Sequence, residues 1–187
     1  MATNDELEAQ LRAVTSRTLS LERRLRRYEF INPTLALSRD LIDLGQVPCA
    51  KIRATSNQTL TTGVSTVILM DTIAFNTLGE GAADLANDRI IIQRTGVYLV
   101  VGTLIFDSSA VGTRRTVILD LNGVLVEESN KPPLGGENGT ILQLIRLRSL
   151  TLGDKLTLIG VQDSGGNLTT LALFQDPSLA VMLLAEI

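Results

Sequence analysis

The chain has 187 residues, a formal net charge of −3 and a pI near 5.0, with no histidine, no tryptophan and one cysteine. These counts exclude Ser-His-Asp triads, Cys-His dyads, histidine-ligated zinc and intramolecular disulfides. The acidic balance and the 3% aromatic content argue against a nucleic-acid-binding surface. We therefore expect neither a cofactor nor a nucleic-acid partner.

The first ten residues, MATNDELEAQ, contain neither a basic segment nor an apolar one, so no signal peptide is predicted. The longest apolar run, 97–106, is far shorter than the roughly 20 residues that a membrane-spanning helix needs. We expect a soluble protein that is made in a cytosol and has no membrane partner.

Residues 1–30 are predicted to form an α-helical coiled coil that drives oligomerisation. Apolar residues recur at alternating spacings of four and three, which keeps one seam of a helix against its partner helices. Thr3 and Glu6 form a capping-box pattern at the start, and Asn32-Pro33 ends the helix. The predicted interface residues are Leu7, Leu11, Val14, Thr18, Leu21, Leu25 and Tyr28.

The same segment carries a run of arginines at 23–27. An anion-binding surface is one interpretation of this run. The favoured interpretation is the solvated outer face of the coiled coil, with Glu22 and Arg26 paired at a spacing of four residues.

Residues 31–48 contain two prolines and scattered leucines, and they are predicted to be a tether. Beyond it, short runs of β-branched residues alternate with Gly, Asn and Asp clusters, which is typical of an all-β domain over 49–187. Asn122-Gly123 predicts a tight hairpin. The predicted strands are 49–56, 64–70, 88–94, 96–106, 114–122, 140–149, 155–162 and 178–187, with short additions near 58–61 and 168–174.

Several of these strands carry apolar side chains on both faces, most clearly 96–106 and 178–187. A lone sandwich buries one face of each strand, so the second face predicts cover by other copies of the chain. A flap formed by the termini or a loop is the alternative. The residues predicted to lie in the core or the trimer interface are Ile90, Ile91, Ile92, Tyr98, Val100, Leu179, Val181, Met182, Leu183 and Leu184.

A series of short motifs runs through 49–187 in a distinctive order. They are Cys49-Ala-Lys-Ile-Arg-Ala-Thr, Thr72-Ile-Ala-Phe-Asn-Thr, Asn87-Asp-Arg-Ile-Ile-Ile, Thr95-Gly-Val-Tyr-Leu-Val, Arg115-Thr-Val-Ile-Leu-Asp-Leu-Asn-Gly and Leu152-Gly-Asp-Lys-Leu. This order resembles the tumour-necrosis-factor-like fold, in particular its globular complement-head type. The resemblance implies an antiparallel jelly-roll sandwich of about eight to ten strands that forms compact homotrimers on a trimeric stalk.

What the resemblance implies about function is a binding or structural module rather than an enzyme. Similar heads on short coiled-coil stalks occur among tail, collar and fibre proteins of bacteriophages. We therefore expect a homotrimeric spike, fibre or decoration protein of a virion, attached to other virion proteins through its N-terminal region. The alternative is a host-attachment module, in which loops 107–113, 127–139 and 163–168 bind a receptor on the host surface.

Carboxylate pairs at Asp84/Asp88 and Glu127/Glu128 are the remaining candidates for chemistry, as a glycosidase pair or a calcium site. Nothing in the sequence places either pair across a cleft, and solvated loop charge is the favoured interpretation. Phosphate-binding, nucleophile-elbow and Cys-x-x-Cys motifs do not occur. Cys49 is predicted to be a small buried residue, and neither catalytic nor metal-binding residues are expected.

Overall fold

A computed structural model describes residues 47–135, 139–172 and 176–187, which belong to one compact unit, Gln46–Ile187. The predicted coiled coil (1–30) and the tether up to residue 46 lie outside the described residues. The strands are β1 (Cys49–Arg53), β2 (Gln58–Leu60), β3 (Thr66–Val67), β4 (Thr72–Asn76), β5 (Ala83–Asp84), β6 (Arg89–Ile91), β7 (Gly96–Phe106), β8 (Arg115–Leu121), β9 (Val124–Lys131), β10 (Thr140–Leu150), β11 (Lys155–Gln162), β12 (Leu168–Thr170) and β13 (Ser178–Glu186).

The strands form two antiparallel sheets, which confirms the predicted all-β sandwich. In the seven-stranded sheet, β2-β12-β7-β13-β1-β4 are neighbours in that order, and β10 pairs along the whole of β7. The six-stranded sheet runs β5-β6-β11-β8-β9, with β3 also paired to β11. Neighbours in the sheets are mostly distant in sequence, as in a jelly roll.

The core lies between the two sheets, and alternation along β7 shows how the sequence builds it. Tyr98, Val100, Leu104 and Phe106 point inward and are fully buried. They meet inward side chains from both sheets, including Ile52, Leu119, Leu142, Leu158 and Leu179. Gly160 lets the sheets approach, because a Cβ there would lie 2.6 Å from Leu60 Cδ2 and 2.9 Å from Leu104 Cδ2.

The hairpin predicted at Asn122-Gly123 is confirmed: φ is 56° at Asn122 and 86° at Gly123, which suits the two-residue turn that joins β8 to β9. Strand β9 itself was not predicted. The expectation of a loop over 127–139 is wrong for residues 127–131, which belong to β9. Its sequence, VLVEESNK, has little apolar character because β9 is an edge strand, and its backbone pairing with β8 holds it in the sheet.

Two other differences concern the first half of the head. The strand predicted at 64–70 is reduced to the two residues of β3, and β4 forms at 72–76, where no strand was predicted. β3 has only two residues and β4 is exposed along most of its length, so neither shows the apolar alternation that marks a strand in sequence.

The sandwich has two distinct ends. Turns 92–95, 122–123 and 151–154 lie together at one end, where Thr95 Oγ1 accepts from the Leu152 amide and Asn122 Nδ2 donates to Asp154 Oδ1. The described chain begins toward this end, since β1 starts at Cys49 opposite Met182 and runs away from this end to Arg53 opposite Ser178. We call it the near end. Loops 61–65, 107–114, 132–135 and 163–167 form the opposite, far end.

Candidate functional site

The outer surface of the seven-stranded sheet carries a series of outward-pointing apolar side chains. Outward positions of β7 alternate with its core positions, and β10 and β13 continue the pattern on either side. We name this surface the apolar face; its residues are Val97, Leu99, Val101, Ile141, Ile145, Leu147, Ala180, Met182 and Leu184.

Register aligns these residues into rows that cross the sheet. One row joins Ile145, Val101 and Ala180, and it continues to Lys51 on β1 and Phe75 on β4. Directly opposed residues of antiparallel strands share a face and touch, so Ile145, Val101 and Ala180 form a continuous apolar ridge, which Lys51 interrupts before Phe75.

The neighbouring row joins Leu147, Leu99 and Met182 and ends at Cys49. Its sulfur lies 3.2 Å from Thr77 Oγ1, and the residue is only partly buried, so the expectation of a buried Cys49 is wrong. The two rows together place apolar side chains across three neighbouring strands.

Exposure on the apolar face is high where large side chains stand out. Leu147 is 65% exposed, and Ile145 and Leu184 are each 52% exposed. Scattered exposed apolar residues are normal on a protein surface, but a contiguous patch marks an interaction site. The face can therefore bury substantial apolar area against another surface.

The structure divides the residues predicted for the core or interface into two groups. Ile91 and Met182 are partly buried, and Leu184 is exposed. The others are buried in the core: Ile90, Ile92, Tyr98, Val100, Leu179, Val181 and Leu183.

Sequence reasoning did not single out the outward residues of β10. Ile141, Ile145 and Leu147 alternate with Leu142 and Leu144, which face the core. The signal was available, because this is the same two-sided apolar pattern that marked β7 and β13.

Charged residues border the apolar face on its β1 side. Arg53 Nη1 donates to Asp176 Oδ2 at 2.5 Å, whereas Lys51 has no ion pair with any described residue. A lysine is stable at the margin of an apolar surface when its ammonium group reaches water. Lys51 therefore separates the apolar face from the exposed Phe75 on β4.

The far-end loops are held by a buried arginine. The Arg115 side chain is fully buried, and its guanidinium donates to Ser109 O at 3.3 Å and Val111 O at 2.8 Å. Asp163 lies 3.4 Å from it across the loops. Burial lowers the pKa of Arg115, and the Asp163 charge opposes this effect.

Asp163 fixes the same loops through several hydrogen bonds. It accepts from the Thr113 hydroxyl and from the backbone amides of Thr113 and Arg114, the latter at 2.9 Å. The Thr113 hydroxyl, then the Arg114 amide, lower the pKa of Asp163 to about 2. Loops 107–114 and 163–167 thus form a rigid pair at the far end.

The predicted carboxylate pairs form contacts within the fold. Asp84 Oδ2 accepts from Arg89 Nε at 2.8 Å, and the hydrogen bond from Asn87 contributes most to lowering the pKa of Asp84. Asp88 Oδ1 accepts from the Met70 amide at 2.6 Å. These contacts occupy both carboxylates within the fold, which differs from simple solvated loop charge.

The two carboxylates of the second pair, Glu127 and Glu128, also bind different partners within the fold. Glu127 accepts from Arg146 Nε at 3.0 Å and from Arg148 Nη1 at 2.9 Å, which ties β9 to β10 across the side of the sandwich. The hydrogen bond from Arg146 is the main cause of the lowered pKa of Glu127. Glu128 contacts Asn130 instead.

Within the described ranges, no group of three or more acidic or cysteine side chains is placed to hold a metal ion. No helix among those residues is long and apolar enough to cross a membrane.

Comparison with solved structures identifies the fold. The chain matches Eiger TNF from S. frugiperda at 13% identity and a TM-score of 0.54, covering 75% of this chain and 94% of that one. It matches murine APRIL at 11% identity and a TM-score of 0.57, covering 74% and 100%. The globular domain of zebrafish complement 1qA protein matches at 11% identity and a TM-score of 0.49, covering 75% and 99%.

The head therefore has the tumour-necrosis-factor-like jelly-roll fold that the motif order indicated. No family model matches the sequence, and no curated protein matches it.

Proposed function

We propose that this chain is a non-enzymatic structural protein that assembles into a homotrimer through its apolar face and forms a spike, fibre or decoration on a bacteriophage particle. The single observation that carries the assembly is the apolar face, with Leu147 and Ile145 more than half exposed. Burying apolar surface contributes about 25 cal/mol per Å², so covering such a face is strongly favourable.

The charge distribution favours a cyclic assembly over a face-to-face pair. In a face-to-face dimer, Lys51 would lie beneath the partner sheet without a carboxylate among the described contacts. Burying such a charge costs several kcal/mol. In a ring, the β10 side of one copy packs on β7 and β13 of the next, and Lys51 stays at the solvated rim.

The resemblance of the fold and the heptad pattern of residues 1–30 both support the number three. Self-association of the head and of the helix would act together, because each would bring three copies of the chain into one cyclic assembly.

Attachment through the N-terminal region accords with the polarity of the head. The described chain begins toward the near end, and the far-end loops lie at the opposite end of the sandwich. A particle bound through the N-terminal segment would leave those loops pointing outward. We further propose that the protein is assembled in the host cytoplasm and is located in the virion.

The oligomerisation test uses matched leucines in the full chain. Leu147 on the apolar face is 65% exposed, and Leu152 in a near-end turn is 66% exposed. Each leucine is changed to Asp in a separate variant, and both variants also carry Leu21→Asp, so that only the head can hold the trimer together. We expect monomers from Leu147→Asp and trimers from Leu152→Asp by sedimentation velocity. A monomeric unmodified chain, or a trimeric Leu147→Asp variant, contradicts the assembly.

The location is tested on purified particles. Mass spectrometry should detect the chain at a copy number divisible by three in virions banded on a density gradient. Finding the chain only in the lysate supernatant would contradict a virion role while leaving the assembly test unaffected.

Host attachment is the second candidate function, and the rigid far-end loops favour it. Val111 is exposed on a loop that Arg115 braces, so the loop presents a fixed apolar side chain. Labelled full chain should bind host cells, and Val111→Lys should abolish binding while Leu152→Lys does not. No binding by the unmodified chain would exclude this candidate.

A further inference from the structure

A polar pocket lies on the outer surface of the six-stranded sheet, toward the near end. Arg89 on β6, Thr157 on β11 and Asp120 on β8 are register partners in one row across it, and Lys155 lies two residues before Thr157. The Asn122-Gly123 turn forms its rim, and its volume is about 370 Å³. Ligand pockets in proteins begin at about 300 Å³. None of these residues belongs to the apolar face.

Asp120 is a buried carboxylate that the protein satisfies only in part. Its exposure is 8%, and Oδ1 accepts from the Gly123 amide at 2.9 Å. Oδ2 accepts no hydrogen bond from any described residue, and Asp120 is one of the residues that line the pocket. Oδ2 is not one of the fully buried side-chain atoms that lack a partner, so it keeps access to solvent and can accept from a donor that enters the pocket.

The two cations of the pocket also keep free donors. Arg89 uses Nε to bind Asp84 at 2.8 Å, and its two terminal nitrogens make no hydrogen bond to described residues. Lys155 Nζ likewise has no described partner, and neither cation forms an ion pair with Asp120. The Thr157 hydroxyl also lines the pocket without a hydrogen bond to a described residue.

Charge in the pocket is balanced, because Arg89 and Lys155 are offset by Asp84 and Asp120. A simple anion would therefore meet Asp120 repulsion, and a simple cation would meet Lys155 repulsion. A hydroxyl group suits the site, since it donates to a carboxylate and accepts from an ammonium or guanidinium group at the same time.

We infer that this pocket binds a neutral sugar unit, with adjacent hydroxyls donating to Asp120 Oδ2 and accepting from Lys155 and Arg89. The inference does not depend on the trimer or on the virion role. It adds a carbohydrate-binding site on the side of the head, away from the far-end loops.

The test is calorimetric titration of the full chain with neutral monosaccharides (glucose, galactose, mannose and N-acetylglucosamine) at millimolar concentrations. Alanine as a zwitterion and inorganic phosphate as an anion are titrated in parallel. Asp120→Asn keeps the acceptor for the Gly123 amide but removes the second acceptor oxygen, and Lys155→Gln removes the charge. Lys131→Gln, at an exposed lysine of β9, is the matched control.

We expect at least one sugar to bind, with affinity reduced about tenfold or more by Asp120→Asn and by Lys155→Gln and unchanged by Lys131→Gln. Sugar binding that neither pocket variant weakens would overturn the location. Binding of alanine or phosphate without any sugar would overturn the ligand class, and no binding of any probe would overturn the site. Thermal unfolding of each variant confirms that a loss of binding is not a loss of folding.

Discussion

Neighbouring residues of β13 test the assembly most sharply, because Leu183 faces the core and Met182 lies on the apolar face. Leu183 is 6% exposed, so Leu183→Asp places a carboxylate between the sheets. The effective penalty for such a charge is several kcal/mol, a large fraction of the roughly 5–15 kcal/mol that stabilises a domain. We expect Leu183→Asp to unfold or aggregate.

Met182→Asp should act on the trimer and leave the fold intact. In a free monomer, the carboxylate reaches water beside a partly exposed surface, and the cost should be about 1 kcal/mol or less. In a trimer, each subunit contributes one buried carboxylate at about 3 kcal/mol, or about 9 kcal/mol in total. At about 1.4 kcal/mol per tenfold, the dissociation constant rises by about six orders of magnitude.

The assay is sedimentation velocity with thermal unfolding by circular dichroism, in the Leu21→Asp background that removes the contribution of the helix. The expected result is a folded monomer for Met182→Asp, with a cooperative transition. A trimer with an unchanged Tm would refute the assignment of the apolar face to the interface. A Leu183→Asp variant as stable as the unmodified chain would refute the placement of the core.

Two further predictions concern the stability of the head. The pKa of Asp163 is lowered from 3.8 to about 2 on folding, so the contribution of this carboxylate to stability is fully present above pH 3.8 and is lost as the pH falls toward 2. Asp163→Asn should therefore lower the Tm at pH 7. The difference in Tm between this variant and the unmodified chain should shrink as the pH falls from 3.8 toward 2. Gly160→Ala should destabilise the head by about 1–3 kcal/mol in urea unfolding, because its Cβ would contact core side chains, whereas Gly166→Ala, which meets open space, should be neutral. Equal effects of the two alanines, or a pH-independent effect of Asp163→Asn, would contradict these accounts.

The part of the fold that the sequence predicted is the part whose strands are long and apolar. β7, β10, β11 and β13 each contain enough alternating or two-sided apolar positions to mark a strand, and the Asn122-Gly123 turn is a local signal. β9 was missed because an edge strand gains its order from pairing with β8, which single-residue preferences do not record.

The apolar face could be predicted only in part, because it too depends on how the strands pair. Two-sided apolarity in the sequence predicted cover for some outward surface, but the predicted residues of β13 were not divided between the core and the interface. The distinction between Met182 and Leu183 depends on register, and a shift of one residue would exchange their faces.

Sequence alone therefore determined the class of the head and excluded histidine-based chemistry, and it predicted apolar cover, since these follow from composition and short-range periodicity. Only the tertiary structure decided that residues as far apart as Ile145, Val101 and Ala180 form one ridge, or that Arg89, Asp120 and Lys155 share a pocket. The physical reason is that antiparallel pairing joins distant segments, and which side chains meet depends on a register that is set by the packing of the whole sandwich.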